Sequence, residues 1–251
     1  IPECRMKLTA TQQLQLNHQS VRRFLPRPLD PGLLESLIRC GQGAASSSFI
    51  QAYTAIRVTR PEARAAIAEA AGGQVWIEQA PEFLVFCADL RRINTACEAA
   101  GKGELEGFSE HGLAAIVDVA LMAQNVLLAA ESQGLGGVFI GGIRNEPQVI
   151  VDQLSLPALV LPVFGMCLGW PNEAQEVKPR MPVGFVLHQD GYQEVSPERM
   201  ALYDEKMATY YASRGANTKL SDWSSAAAVA VQGKKREHML EFLRARGFFR
   251  C

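Results

Sequence analysis

Five short segments carry the groups needed to hold an anionic, planar ligand. His18-Gln19-Ser20-Val21-Arg22 offers an imidazole, a hydroxyl and a guanidinium close together. A guanidinium grips phosphate through two parallel hydrogen bonds, and the other two groups add donors. Ser46-Ser47-Ser48 lets backbone amides and hydroxyls come close to a ligand. In Gly72-Gly73-Gln74 a side-chain amide can meet the edge of a heterocycle. Gly136-Gly137-Val138-Phe139-Ile140-Gly141-Gly142 has four glycines in seven residues, too many for a simple strand. It suggests bare backbone passing against something flat. Lys178-Pro179-Arg180 sets two cations beside a rigid proline. Each segment also has a plain alternative: a solvated loop, a polar turn, a glycine-marked helix end, tight strand packing, or a solvated charge pair.

Other chemistries find no support. There is no phosphate-binding G-x-x-x-x-G-K-[ST] loop, and Gly41-Gln42-Gly43 follows a helical pattern and lacks the third glycine of a dinucleotide fingerprint. His18, His111, His188 and His238 have no metal-ligand spacing, so no metal is expected. The six cysteines are scattered without a C-x-x-C pair, and Cys87 and Cys167 sit inside apolar runs. That usage points to a reduced, cytoplasmic protein. No signal peptide is expected from the first residues, which carry Glu3, Arg5 and Lys7. The net charge of −1 gives no general attraction to nucleic acid or an anionic membrane.

The elements that must position these groups follow from pattern. Helices are predicted over Thr11–Asn17, from Asp30-Pro31 to Gly41 and Gly43, and over Pro61–Ala71. Strands are predicted over Ala55–Thr59, Glu82–Cys87, Gly137–Gly142 and Val160–Leu168, with a helix over Pro147–Leu154. Ala99–Phe108 reads as a mobile loop. Ser109 caps a long apolar helix that Gly134 closes; Asp118, Gln124 and Asn125 interrupt it, so it is expected to be buried in protein rather than lipid. Helices over Pro197–Ser213 and Arg236–Arg246 flank a polar stretch, Arg214–Ser225. The order has no regular βαβ beat, so an α+β layered fold in one domain, 1–251, is expected.

In this order the segments resemble the oxygen-insensitive nitroreductase and flavin reductase family, most closely its NADPH-preferring major subfamily. H-Q-S-V-R-R-F, A-S-S-S-F-I-Q and E-F-L-V-F-C-A-D carry the likeness, with D-V-A-L-M-A-Q-N-V-L-L-A-A-E-S-Q-G-L-G-G-V-F-I-G-G-I-R-N, P-V-F-G-M-C-L-G-W-P, K-P-R-M-P and Y-Y-A-S-R-G. The resemblance implies a central, mixed but mainly antiparallel sheet flanked by helices, with the long helix at a homodimer interface. It implies that an extension over about 197–251 packs on the partner.

It also implies FMN and NADPH as cofactors. FMN phosphate would lie among His18, Ser20, Arg22 and Lys178 or Arg180, with Gln19 beside them where an arginine is common. Ser46, Ser47 and Ser48 would line the flavin across the dimer. Gln74 would touch the ring or ribityl chain, with Phe139, Ile140, Gly141 and Gly142 beneath the ring. Arg214 and Lys219 would meet the NADPH 2′-phosphate. The flavin would carry the hydride chemistry, so no catalytic acid or nucleophile is expected. The activity implied is ping-pong electron transfer from NADPH to nitroaromatic, quinone or related acceptors. The alternatives are a reductase releasing free reduced FMN, and a non-enzymatic flavin store or redox sensor.

Overall fold

The computed structural model describes residues 7–173, 176–213, 221–233 and 235–251. They fall into two units, 1–174 with 236–251, and 175–235.

The first unit is built on the strands β1 (Tyr53–Arg57), β2 (Glu82–Asp89), β3 (Gly136–Ile140) and β4 (Val160–Gly169). Their spatial order is β1-β2-β4-β3 and every pair is antiparallel. The only parallel pairing among the described residues is an isolated bridge, Ser20 to Gly137. β2 is buried along its whole length, as its unbroken apolar run requires. Its side chains alternate between two cores. Phe83, Val85 and Cys87 join α3 (Pro61–Ala70) and α7 (Pro147–Leu154) on one face. Leu84 and Phe86 join α2 (Leu33–Gln42) and α6 (Ser109–Ser132) on the other. The result is the expected α+β arrangement, a sheet between two helical layers.

Several boundaries differ from those expected. α2 starts at Leu33, because Gly32 has φ +78° and Leu33 N–H donates to Asp30 O at 3.1 Å, closing a turn instead of a helix. Gly41 does not end α2; it lies inside it, buried, where a Cβ would stand 2.5 Å from Val126 Cγ2 on α6. β1 lies two residues earlier than predicted, since pairing stops at Arg57 opposite Leu84, near the start of β2. β3 ends at Ile140, and Gly141–Arg144 forms a 3₁₀ turn instead of more strand.

A helix that was not expected, α5 (Arg91–Ala99), follows β2. It is anchored by buried Asn94, whose side-chain carbonyl accepts Leu105 N–H at 2.8 Å. The loop after it is tied down: Gly107 O accepts Arg250 N–H at 3.0 Å, and the Arg250 guanidinium donates to Leu105 O and Glu106 O. α6 is long and apolar enough to cross a membrane by length and composition alone. Here it packs on the sheet instead, burying Val119, Met122, Ala123, Val126 and Leu127.

The stretch 197–251 is divided between the units. Phe248 is 1% exposed in the first, with α10 (Met239–Ala245) before it. The second unit has its own small core, Tyr203, Met207 and Tyr211 from α8 (Pro197–Ser213), with Trp223 at the head of an unpredicted helix, α9 (Trp223–Gly233).

Candidate active site

The segment His18–Arg22 runs beside β3. Ser20 bridges Gly137, Val21 N–H donates to Gly137 O at 2.9 Å, and Phe24 bridges Pro171 beyond the end of β4. His18 Nδ1 lies 2.5 Å from Glu131 Oε1 in the last turns of α6. Gln19 lines a small groove of about 190 Å³ with Asn17, Val21 and Glu131. Arg22 is exposed, and its guanidinium stands 5.9 Å from the centre of the Trp76 ring. No carboxylate among the described residues forms an ion pair with it. Its backbone N–H donates to Glu173 at 2.7 Å.

Trp76 belongs to α4 (Trp76–Gln79), two residues after Gln74. Gln74 Nε2 donates to Ala71 O at 2.8 Å, which leaves its Oε1 available as an acceptor. Gly142 lies against the same place: a Cβ there would collide with the Gln74 amide and come within 2.5 Å of Ala71 O. Glycine at 142 is therefore needed for Gln74 and the turn after β3 to meet.

The glycine run otherwise follows the packing alternative. A Cβ at Gly136 would stand 2.5 Å from Val21 Cγ2, and one at Gly137 2.7 Å from Leu168 Cδ2. Gly141 O accepts from Arg236 Nη2 at 3.0 Å, and Arg236 also holds Asn145 Oδ1. The side chain of Ile140 is in the core, 1% exposed, so only its backbone can face a ligand. Phe139 is the one incompletely buried residue of β3 and meets Phe164 edge-on at 5.1 Å.

His18, Gln19, Ser20, Arg22, Gln74, Phe139 and Gly142 thus gather along and around β3. Ser46, Ser47 and Ser48 do not. They form a 3₁₀ turn before β1, at the opposite edge of the sheet, about 14 Å away at three strand spacings. That turn is fixed to the first half of α6 by Asp118, whose Oδ1 accepts Ser47 N–H at 2.8 Å. Asp118 and Glu131 are thirteen residues apart on α6, roughly 20 Å at about 1.5 Å per residue.

Lys178 and Arg180 belong to the second unit. Lys178 Nζ stands 5.5 Å over the Tyr211 ring. Arg214 and Lys219 lie outside the described residues. Sequence reasoning missed Trp76, Glu131 and Arg236, and noted Asp118 only as an interruption of an apolar run.

Residues 16–170 match the nitroreductase family, and residues 178–250 match the nitroreductase family, C-terminal domain. The chain is 41% identical over 241 residues to the oxygen-insensitive NADPH nitroreductase of Salmonella typhimurium, covering 96% of this chain and 99% of that protein. It is 43% identical over 235 residues to the NADPH-flavin oxidoreductase of Vibrio harveyi, covering 92% and 95%. The structure of nitroreductase A from Vibrio parahaemolyticus superposes with a TM-score of 0.90 at 39% identity, over 98% of this chain and 100% of that one.

Proposed function

The chain belongs to the nitroreductase family, and from that premise we propose a homodimeric, FMN-dependent oxidoreductase. It takes electrons from NADPH and passes them by a ping-pong mechanism to nitroaromatic, quinone or related acceptors. The observation that carries this reading is the gathering of Arg22, Ser20, His18 and Gln74 around one edge strand.

These residues fit FMN. Arg22, without a carboxylate partner among the described residues, offers its fork to the phosphate, with Ser20 and His18 as further donors. The Gln74 carbonyl suits an N–H on the edge of the isoalloxazine ring, and glycine at 142 keeps that approach open. Phe139 and the backbone of Ile140, Gly141 and Gly142 give the ring an apolar floor. Bound there, FMN supplies hydride acceptance and two-electron transfer. The chain's own residues bind and orient it. Lys178 and Arg180 are assigned to the phosphate, and Arg214 and Lys219 to NADPH, on the family pattern.

A second copy would supply its Ser46, Ser47 and Ser48 to this site, since within one chain they lie at the opposite edge of the sheet. α6 supports this. Leu113, Val117 and Leu121, four residues apart, form an exposed apolar stripe along it. The extension over about 197–251 is assigned to the same pairing. Cys87 and Cys167, buried and reduced, suit a cytoplasmic compartment.

The visible spectrum before and after anaerobic NADPH tests the reading. Flavin bands that bleach within the mixing time are expected; a colourless protein that FMN cannot reconstitute would overturn it. A second reading, release of free reduced FMN, is favoured by the 43% identity to an NADPH-flavin oxidoreductase. Turnover with free FMN against turnover with nitrofurazone separates the two. Slow bleaching with both nicotinamides would instead indicate a flavin store or sensor.

A further inference from the structure

Asp118 is a carboxylate only 1% exposed, set in the long apolar helix α6. Burying a charge there is costly unless its hydrogen bonds are satisfied. Both oxygens are used, and both accept from one loop: Oδ1 from Ser47 N–H at 2.8 Å, and Oδ2 from Ala52 N–H at 3.2 Å. Between these two anchor points the backbone is strained. Ser48, Phe49 and Gln51 have φ of +47°, +58° and +51°, three non-glycine residues in the left-handed region within four positions. Such residues persist only where their surroundings over-determine them. The loop's other side-chain bonds are longer, Gln51 N–H to Ser46 Oγ and Gln51 Nε2 to Phe49 O, both 3.3 Å.

The loop reaches its own chain's core through Ile50 and Ala52, and Phe49 stands outside it. Phe49 is 79% exposed, unusual for an aromatic side chain held in a disfavoured backbone conformation. Close by, the Tyr53 hydroxyl is buried without a hydrogen-bond partner among the described residues. Its phenol is pushed up by burial first and by the neighbouring Asp118 second.

We propose that Asp118 is a positioning residue that holds Ser47, Ser48 and Phe49 in the conformation presented to the flavin of the partner subunit. The inference rests on the two-chain flavin site proposed above. Through it, a residue that touches no ligand governs the neighbouring site.

The test uses the full dimer with FMN. Asp118→Asn keeps the shape and removes the charge and one acceptor. It is expected to raise the FMN dissociation constant at least tenfold and to change the acceptor KM more than the rate of flavin reduction by NADPH. Gln51→Gly, which relieves one left-handed residue, is expected to recover part of that loss in the double variant. A merely structural role predicts a lower melting temperature with unchanged FMN affinity and KM, and that result would overturn the proposal.

Mixed dimers test the action between chains. Dual-tagged dimers are isolated with Asp118→Asn on one chain and Arg22→Ala on the other. Both defects then fall on one site, so half of the sites should bind FMN with wild-type affinity; a single weak phase would overturn the proposal. If Asp118→Asn does not fold, hydrogen exchange in the wild-type holoprotein decides. Protected Ser47 and Ala52 amides support the clamp, and exchange at the rate of exposed loop amides refutes it. Wild-type protein that takes up no FMN would sink both this inference and the functional reading. Normal FMN uptake by wild type and variant alike would sink this inference alone.

Discussion

His18 Nδ1 lies 2.5 Å from Glu131 Oε1, joining the segment beside β3 to the C-terminal end of α6. The Glu131 side chain is only 10% exposed and that of His18 is 24% exposed. A carboxylate partner at Nδ1 fixes the ring, and an imidazolium so held has its Nε2–H directed away from Glu131 to donate to a phosphate. Glu131→Ala should therefore weaken FMN binding roughly tenfold, about 1.4 kcal/mol. Glu131→Gln, which keeps an acceptor, should lose less. Titration by flavin fluorescence quenching checks both; tighter binding in either variant would mean that the carboxylate opposes the phosphate.

Arg22, in the segment beside β3, forms no ion pair with a carboxylate among the described residues. A hydrogen bond to a charged group contributes on the order of 1.5–3 kcal/mol, so Arg22→Ala should raise the FMN dissociation constant roughly ten- to a hundredfold. Arg22→Lys should recover only part of that, since an ammonium lacks the planar fork. Full FMN retention by the alanine variant at submicromolar protein would remove Arg22 from the phosphate site.

What the chain revealed before folding depended on the range of the interaction. β2 and α7 were legible because an unbroken apolar run and a proline-led amphipathic turn are local signals. α5 was not, because its anchor is a buried asparagine rather than an apolar stripe. His18, Ser20, Arg22 and Gln74 were legible as residue types, and their shared edge strand required the fold. The Asp118–Ser47 and His18–Glu131 contacts span 71 and 113 residues, and no local pattern reports such pairings. The glycine run misled in part. Gly136 and Gly137 are small because Val21 and Leu168 press on them, while Gly142 makes room for Gln74.

Gly41 offers a stability test of the α2–α6 contact. Alanine would gain about 1 kcal/mol of helix propensity. Its Cβ would also fall 2.5 Å from Val126 Cγ2 and 3.1 Å from Met122 O, between buried neighbours. Overpacking of this kind costs about 1–3 kcal/mol, so the clash should win. Gly41→Ala is expected to lower Tm by about 2–6 °C; an unchanged or higher Tm would mean that α2 can slide along α6.

The buried thiols set a limit at alkaline pH. Burial pushes Cys87 and Cys167 up to about 12. In the unfolded chain they ionise near the ordinary thiol value of 9.0. A raised native value means that the unfolded state releases protons first, so stability is complete below about pH 9 and is lost as pH rises toward about 12. Each thiol should contribute a decline of about 1.4 kcal/mol per pH unit across that window. Urea midpoints measured from pH 8.5 upward should fall, and Cys167→Ala should flatten the slope by about that amount. A slope identical in the variant would exclude the thiol as its source.

The stripe on α6 tests whether pairing and cofactor binding are one event. Leu113, Val117 and Leu121 are 54%, 47% and 44% exposed, on a helix whose other face fills the core. Val117→Asp changes only a solvent-facing position of the isolated chain, so the monomer should fold normally. In a dimer it would bury an unpaired carboxylate, a penalty of several kcal/mol per copy that a two-fold interface meets twice. Sedimentation should find a folded monomer. Since Ser46–Ser48 then has no partner site to complete, FMN retention should fall with it, although His18, Ser20, Arg22 and Gln74 are untouched. A monomer that binds FMN as tightly as wild type would show that one chain builds the site alone.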